Sequence, residues 1–228
     1  MTLAPGPPGP DRRWPFAFVD DLDAPELSPE DRHHLERVRR LRAGDPLTVG
    51  DGAGRFRPAR FGPALEPAGD IVSSPGPSRP VTIAFALTKG DRPELVVQKL
   101  VEIGVERIVP FAAARTVVRW APDKGARNLE RWRAIAREAA AQAHRPHLPE
   151  IGAVTSFAEA AALPGATLAD AGGEPLARGT TTLLVGPEGG WAPEEAAAGL
   201  PVVDLGPHVL RAETAALVAG ALAVWVNR

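Results

Sequence analysis

Residues 81–88 read VTIAFALT, an apolar run in which nothing is charged. A strand with apolar side chains on both faces needs cover on both. That is the mark of a parallel sheet layered between helices, not of a sheet with one wet side. The rest of the chain repeats the theme. Residues 93–104 (PELVVQKLVEIG) predict a helix, with Pro93 at its start and Gly104 as its stop. Residues 107–113 (RIVPFAA) predict a second strand. Residues 128–143 predict a long helix, with Leu129, Trp132, Ile135, Ala136, Ala139 and Ala143 along one stripe and Arg131, Arg133, Arg137 and Glu138 largely off it. A short helix at 156–163 and strands at 166–171, 181–185 and 202–205 follow. The last element, 212–226, is a helix apolar almost all round, which needs cover on every side. A subunit interface would supply it, with Gly220 admitting another helix closely. Alternating strand and helix predicts the α/β class.

The segment before residue 81 is organised differently. Residues 73–80 (SSPGPSRP) read as a linker. Ahead of it, short strand-like pieces at 16–19, 46–49, 55–61 and 70–73 alternate with turn residues, and one helix is expected at 28–38. Ser28 is its N-cap and Pro29 its first residue, with Asp31 three positions on from the cap. Gly44-Asp45 and Asp51-Gly52 are turn dipeptides, and 50–54 (GDGAG) reads as a hairpin turn. This predicts a small β-barrel of about 70 residues, a style common among RNA-binding modules. The expected division is 1–74 and 75–228.

The chain has no cysteine, which excludes disulfides, thiolate nucleophiles and thiolate-bound metals and suits a reducing cytoplasm. The opening ten residues lack the basic start and apolar core of a signal peptide and read as a frayed tail. The apolar run 215–226 is well short of the roughly 20 residues a membrane span needs, so no membrane partner is expected. His33 and His34 are adjacent and point to different helix faces, and His144 and His147 have no third ligand nearby, so no metal site is expected. No G-x-G-x-x-G, P-loop or G-x-S-x-G pattern occurs.

A net charge of −2 argues against a chain that coats nucleic acid over its whole surface. The distribution is more informative. Residues 32–60 carry Arg32, Arg37, Arg39, Arg40, Arg42, Arg55, Arg57 and Arg60 against Glu36, Asp45 and Asp51, an excess of about five positive charges. The arginine fork reads phosphate and stacks on bases. The stretch is therefore either a phosphate-reading face or an ordinary solvated one. Arg32, Arg37, Arg39, Arg40 and Arg42, with Lys89 and Arg92 further on, are the candidate RNA contacts.

Polar residues collect where the predicted strands end: Thr88 to Arg92, Arg115-Thr116, Gly186 to Gly190 and Leu210 to Thr214, with Gln142 to Arg145 closing the long helix. In an open α/β sheet, ligands bind beyond the carboxyl ends of the strands. Two of these places share a grammar. Residues 180–191 (TTTLLVGPEGGW) and 205–217 (LGPHVLRAETAAL) each break at Gly-Pro after an apolar piece and then feed a helix. Gly186, Gly189, Gly190 and Gly206 carry no Cβ, so main chain there can approach a flat heterocycle and grip it through amides and carbonyls.

TKGDRPELVVQKLVEIGVERIVPFAAARTVVRW, EAAAQAHRPHLPEI, LLVGPEGGW and LGPHVLRAETAAL together resemble the bacterial small-subunit (16S) ribosomal RNA uridine-N3 methyltransferases of the SPOUT superfamily. The resemblance runs from about residue 13 to the C-terminus. HHLERVRRLRAGDPLTVGDGAG resembles the family's N-terminal module, whereas the start RRWPFAF departs from its Arg-Phe-Phe-like opening at Arg12 and Arg13. The resemblance implies a SPOUT-type α/β knot, a deep trefoil near the C-terminus that is a rare exception to the rule against threaded chains. It further implies a PUA-like RNA-binding β-barrel ahead of it, a homodimer with the active site beside the subunit interface, a cytoplasmic location, and ribosomal RNA or the small ribosomal subunit as substrate.

The implied cofactor is S-adenosyl-L-methionine, held by two loops. One comprises Leu184, Val185, Gly186, Pro187, Glu188, Gly189 and Gly190. The other comprises Leu205, Gly206, Leu210, Arg211, Thr214 and Ala215. Leu184, Val185, Leu205 and Leu210 would line an adenine slot, and Glu188 would brace its loop. The implied reaction moves a methyl group to N3 of a uracil. Arg211 would stabilise the uracil anion or hold a phosphate. Glu213 is a candidate base, or else caps the final helix. Arg115 and Arg145, beside Gln142, are the other candidate catalytic cations, their alternative being surface ion pairs. A SPOUT enzyme acting on a guanine base or a ribose hydroxyl, and a non-catalytic RNA-binding assembly factor, are the competing readings.

Overall fold

The computed structural model describes residues 9–116 and 122–228. Most of the expected N-terminal tail, and the VVRW end of the TKGDR segment, lie outside the described residues. The chain forms two compact units. One holds the chain up to Gly76 together with Arg137–Leu148; the other holds Pro77–Ala136 and Pro149–Arg228.

The first unit is built on a five-stranded mixed sheet. Strand β1 (Phe16–Phe18) runs parallel to β2 (Pro46–Gly50), which forms an antiparallel hairpin with β3 (Arg55–Arg60). Strands β4 (Glu66–Pro67) and β5 (Val72–Ser73) both pair with β3. The hairpin closes where the GDGAG run predicts it. Asp51 Oδ1 accepts from the Ala53 and Arg55 amides at 2.8 and 3.1 Å, and so stabilises the turn.

Helix α1 (Pro29–His33) begins as expected, with the Ser28 hydroxyl accepting from the Asp31 amide at 3.0 Å. It does not continue as one α-helix to residue 38. His34–Val38 is a π turn, closed by the Arg39 amide on the His34 carbonyl at 3.1 Å. The turn delivers Leu35 to a core with Val19, Leu22, Leu47, Val49, Ala59 and Phe61. Immediately beyond it Arg40 takes a left-handed φ of 58°.

The second unit is the predicted parallel sheet. Its strands are β6 (Thr82–Ala86), β7 (Arg107–Ala112), β8 (Glu150–Ile151), β9 (Thr155–Ser156), β10 (Ala166–Pro175), β11 (Thr182–Val185) and β12 (Val202–Asp204). The order is β12-β10-β11-β6-β7-β8, with β9 also on β7, and every pairing is parallel. Its helices are α2 (Arg92–Ile103), α3 (Pro122–Gln142), whose last turns belong to the first unit, α4 (Phe157–Ala161), α5 (Pro193–Ala196) and α6 (Ala212–Val226).

The apolar run at residues 81–88 becomes the central strand β6. On one face Ala84 and Ala86 join Phe111, Leu168, Leu184 and Trp191. On the other, Ile83 lies beneath α6, which packs on α2. Gly104 stops α2 with φ 106°. Gly220 lets a helix come close, but that helix is α2 of the same chain, not a second subunit. A Cβ on Gly220 would fall 2.6 Å from Leu100 Cδ2. The opposite side of α6 stays open, with Trp225 67% and Leu222 36% exposed.

From β6 the chain steps outward to β7, β8 and β9, then returns to β10. Strand β11 fills the place between β10 and β6, and β12 goes outside β10. The direction of winding reverses at the β6/β11 boundary. Because all the strands are parallel, the loops leaving β6, β7, β11 and β12 emerge along one edge, beside that reversal.

Candidate functional site

Four loops leave strand ends along this edge of the second unit: those after β6 (Thr88 to Asp91), β7 (Ala113 to Thr116), β11 (Gly186 to Gly190) and β12 (Leu205 to Arg211). Specific bonds hold three of them, together with the first turn of α6, in register. Arg92, the first residue of α2, places Nη1 2.6 Å from Glu188 Oε1 and Nε 3.8 Å from Glu213 Oε1. Arg115 Nη1 donates to the Gly189 carbonyl at 2.8 Å. The GPEGG loop and the helix entered after the second Gly-Pro bend therefore converge on one shared neighbour, Arg92.

Beneath the loops is a brace that sequence reasoning did not find. Glu195, 3% exposed, accepts from the Ala114 amide at 2.8 Å with Oε1 and from the Ala192 amide at 3.0 Å with Oε2. Both carboxylate oxygens are satisfied, as burial demands. This ties the loop bearing Arg115 to the segment that follows GPEGG. Trp191 stacks on Phe111, with centroids 6.2 Å apart and planes 4° from parallel, and its indole N–H donates to the Ala169 carbonyl at 3.2 Å. The same ring backs Gly186, where a Cβ would meet Trp191 Cε2 at 3.0 Å. The second glutamate of WAPEE, one turn into a Pro-initiated helix, is the one sequence cue to the brace.

The bend after β12 has its own anchor. Asp204 Oδ1 accepts from the Gly206 amide at 2.8 Å and Oδ2 from the Gly172 amide at 3.2 Å. These amides hold the carboxyl below its ordinary range, because they favour the charged form. Gly206 adopts φ 135° and Gly190 φ 68°, and a Cβ at either would meet nothing within 4 Å. Backbone, not side chain, thus faces open space at both bends. Two buried polar atoms have no hydrogen-bond partner among the described residues here: Thr88 Oγ1, at the end of β6, and Glu213 Oε2.

The other predicted site residues fall as follows. Leu184, Val185 and Pro187 are buried, and Leu184 is spent in the core against Trp191. Gly186, Leu205, Leu210 and Ala215 are half-buried, while Glu188, Gly189, Gly190, Gly206, Arg211 and Thr214 are exposed. Arg211 is the N-cap residue of α6 and makes no side-chain cap bond. Glu213 sits in the first turn of α6 without capping it and faces Arg92. Glu188 braces its loop as expected, through the same arginine.

Among the candidate RNA contacts, Arg32 is engaged within the first unit. It donates to the Gly62 and Pro63 carbonyls at 2.9 and 3.2 Å and lies 5.5 Å over the Phe61 ring. Arg37, Arg39, Arg40 and Arg42 are exposed, and so is Lys89 in the second unit. Arg145 and Gln142 belong to the first unit, and Arg145 is half-buried. Next to it, His144 has φ 54°, and its pKa is lowered by burial, with Arg12 and Arg39 adding to the effect. Among the described residues no cluster of three or more metal-ligating side chains occurs, and no helix is long and apolar enough to cross a membrane.

Comparison with known proteins agrees with this arrangement. Residues 75–224 match the RNA methyltransferase domain family, and residues 27–62 match the RNA methyltransferase PUA domain. The chain is 38% identical to the ribosomal RNA small subunit methyltransferase E of Mycobacterium bovis, over 86% of this chain and 84% of that protein. It is 32% identical to the protein of the same name from Synechocystis, over 82% and 68%. Among solved structures, a methyltransferase of Legionella pneumophila with bound SAM superposes at TM-score 0.81, with 27% identity over 92% of this chain and 96% of that one. The ribosomal RNA small subunit methyltransferase E of Neisseria gonorrhoeae, bound to S-adenosyl methionine, gives 0.78 and 27% over 91% and 95%. With a family model spanning the whole parallel sheet and relatives matching along most of their length, this chain belongs to the small-subunit ribosomal RNA methyltransferase E family of RNA methyltransferases.

Proposed function

We propose that the chain uses S-adenosyl-L-methionine to methylate N3 of a specific uridine in small-subunit ribosomal RNA. The observation that carries this reading is the meeting of the two Gly-Pro loops, Glu188 and Glu213 sharing Arg92 while Arg115 reaches Gly189. The loops fit such a cofactor in kind. Gly190 and Gly206 offer backbone with open space, and Thr88 Oγ1 and Glu213 Oε2 are buried polar atoms still lacking partners among the described residues. Half-buried Leu205 and Leu210 supply apolar surface for an adenine, with Gly186, Pro187 and Gly189 beside them on the other loop.

When bound, the cofactor supplies an electrophilic methyl group. The residues of this chain do the rest. Arg211, exposed at the mouth of α6, is suited to meet the negative charge that spreads onto the uracil carbonyl oxygens as the N3 proton leaves. Glu213 is the nearby carboxylate available to take that proton, and Arg92 faces it at 3.8 Å. Arg115, held by its bond to Gly189, adds positive potential on the same edge. The exposed Arg37, Arg39, Arg40 and Arg42 of the first unit supply phosphate contacts.

This reading includes a PUA-like RNA-binding barrel at 1–74, a SPOUT methyltransferase domain with a trefoil knot at 75–228, a cytoplasmic location, and a homodimer that covers the open side of α6. Calorimetry with S-adenosyl-L-methionine and mass mapping of small-subunit ribosomal RNA from a deletion strain test it. Binding, and the loss of one methyl-uridine, are expected. An unchanged map refutes the target.

A further inference from the structure

Arg92 was expected to touch RNA, and its local setting argues otherwise. It stands at the first position of α2, where the helix dipole disfavours a cation. What offsets this is a pair of carboxylates brought from far along the chain. Glu188, from the loop after β11, lies 2.6 Å from Nη1, and Glu213, from the first turn of α6, lies 3.8 Å from Nε. The Glu213 side chain is only 14% exposed and its second oxygen has no hydrogen-bond partner among the described residues. Arg92 is the cation that faces Glu213, and its other end fixes the GPEGG loop.

We infer that Arg92 is a positioning residue. It clasps the two cofactor loops together through Glu188 and Glu213, and so sets the affinity for the methyl donor rather than for RNA. The inference rests on the proposed S-adenosyl-L-methionine site. It also makes the two acidic residues energetically dependent on one another through the guanidinium they share.

The test is a double-mutant cycle read by calorimetry with S-adenosyl-L-methionine, using the full chain and the variants Arg92→Ala, Glu188→Gln, the double variant and Arg92→Lys. Arg92→Ala is expected to weaken binding by about tenfold, and the double variant to be no weaker than Arg92→Ala alone, since both break the same link. Arg92→Lys, which keeps the charge but not the fork, should fall between wild type and Arg92→Ala. Binding of small ribosomal subunits from a deletion strain, followed against salt, supplies the second readout. The clasp predicts an unchanged slope for Arg92→Ala, whereas a lost phosphate contact would flatten it by about 0.7–0.9. Unchanged donor affinity in Arg92→Ala, or simple additivity in the double variant, overturns the inference. If wild type itself binds no donor, the functional reading fails instead. Glu188→Gln, an exposed loop substitution, keeps the test open should Arg92→Ala not fold.

Discussion

Glu188 and Glu213 face one guanidinium, that of Arg92, at 2.6 and 3.8 Å. One glutamate belongs to the loop leaving β11 and the other to the helix entered after β12, two strands that are not neighbours in the sheet. Their shared partner joins two separate segments of the chain at one guanidinium.

Arg211, the N-cap residue of α6, is exposed and makes no side-chain cap bond. Arg211→Ala should fold and bind S-adenosyl-L-methionine as wild type does, yet lose roughly 100-fold or more in kcat, the scale of removing one preorganised group that meets developing charge. Single-turnover methylation of small subunits, with calorimetry alongside, checks it. A near-normal rate would remove Arg211 from the chemistry.

Glu195 is a structural brace whose loss should be felt in stability. Removing it leaves the Ala114 and Ala192 amides without their acceptor. Glu195→Ala should cost about 2–3 kcal/mol and lower Tm by roughly 4–12 °C. Glu195→Gln, which keeps one acceptor oxygen, should cost less. Thermal melts of both variants decide it, and equal melting to wild type would show that the brace contributes nothing.

Gly206 and Gly189 should respond differently to a side chain. Gly206 has φ 135°, which L residues rarely adopt, so Gly206→Val is strained although nothing lies within 4 Å. At Gly189 the added Cβ meets Arg115 Cβ at 3.4 Å, an ordinary contact, and the branch methyls of valine must displace Arg115 from the Gly189 carbonyl. Both valine variants should bind the methyl donor more weakly. Gly189→Ala should be tolerated and Gly206→Ala should not. Calorimetry on the four variants separates them, and unaltered affinity throughout would count against these loops as the cofactor site.

Asp204 gives the second bend a pH dependence whose sign can be worked out. Its folded pKa lies below the ordinary 3.8 because the Gly206 and Gly172 amides bond the charged form. A depressed carboxyl pKa contributes stability that is fully present above the unfolded value and is lost as pH falls through the folded one. Wild type should therefore melt higher than Asp204→Asn at pH 6, with the gap closing below about pH 3.8. A gap independent of pH would show that the carboxylate charge is not what holds the bend.

The open side of α6 should be an interface between copies of the chain. Trp225 is 67% exposed, with Leu222 beside it on the same helix. Trp225→Glu should yield a monomer, because a charge in an apolar interface is costly to desolvate. Sedimentation of wild type and variant checks it, and an identical mass for both would exclude this face.

The sequence by itself determined the class of the fold and most of its elements. A short uncharged apolar run bounded by turn residues reads as a strand covered on both faces, and Thr82–Ala86 became the centre of the sheet. The helix Ala212–Val226 and the caps at Ser28 and Gly104 were legible because apolar periodicity, a hydroxyl acceptor and a missing Cβ act within a few residues. Short pieces such as Glu66–Pro67 and Glu150–Ile151 were not, since they are strands only by virtue of distant partners. Tertiary structure alone decided the rest: that β11 lies between β6 and β10, that Gly220 admits α2 and not another subunit, and that Arg92 and Glu195 are bound to carboxylates and amides far along the chain. Those pairings arise from strand order, and strand order is set by the joint burial of many side chains that no local stretch of residues contains.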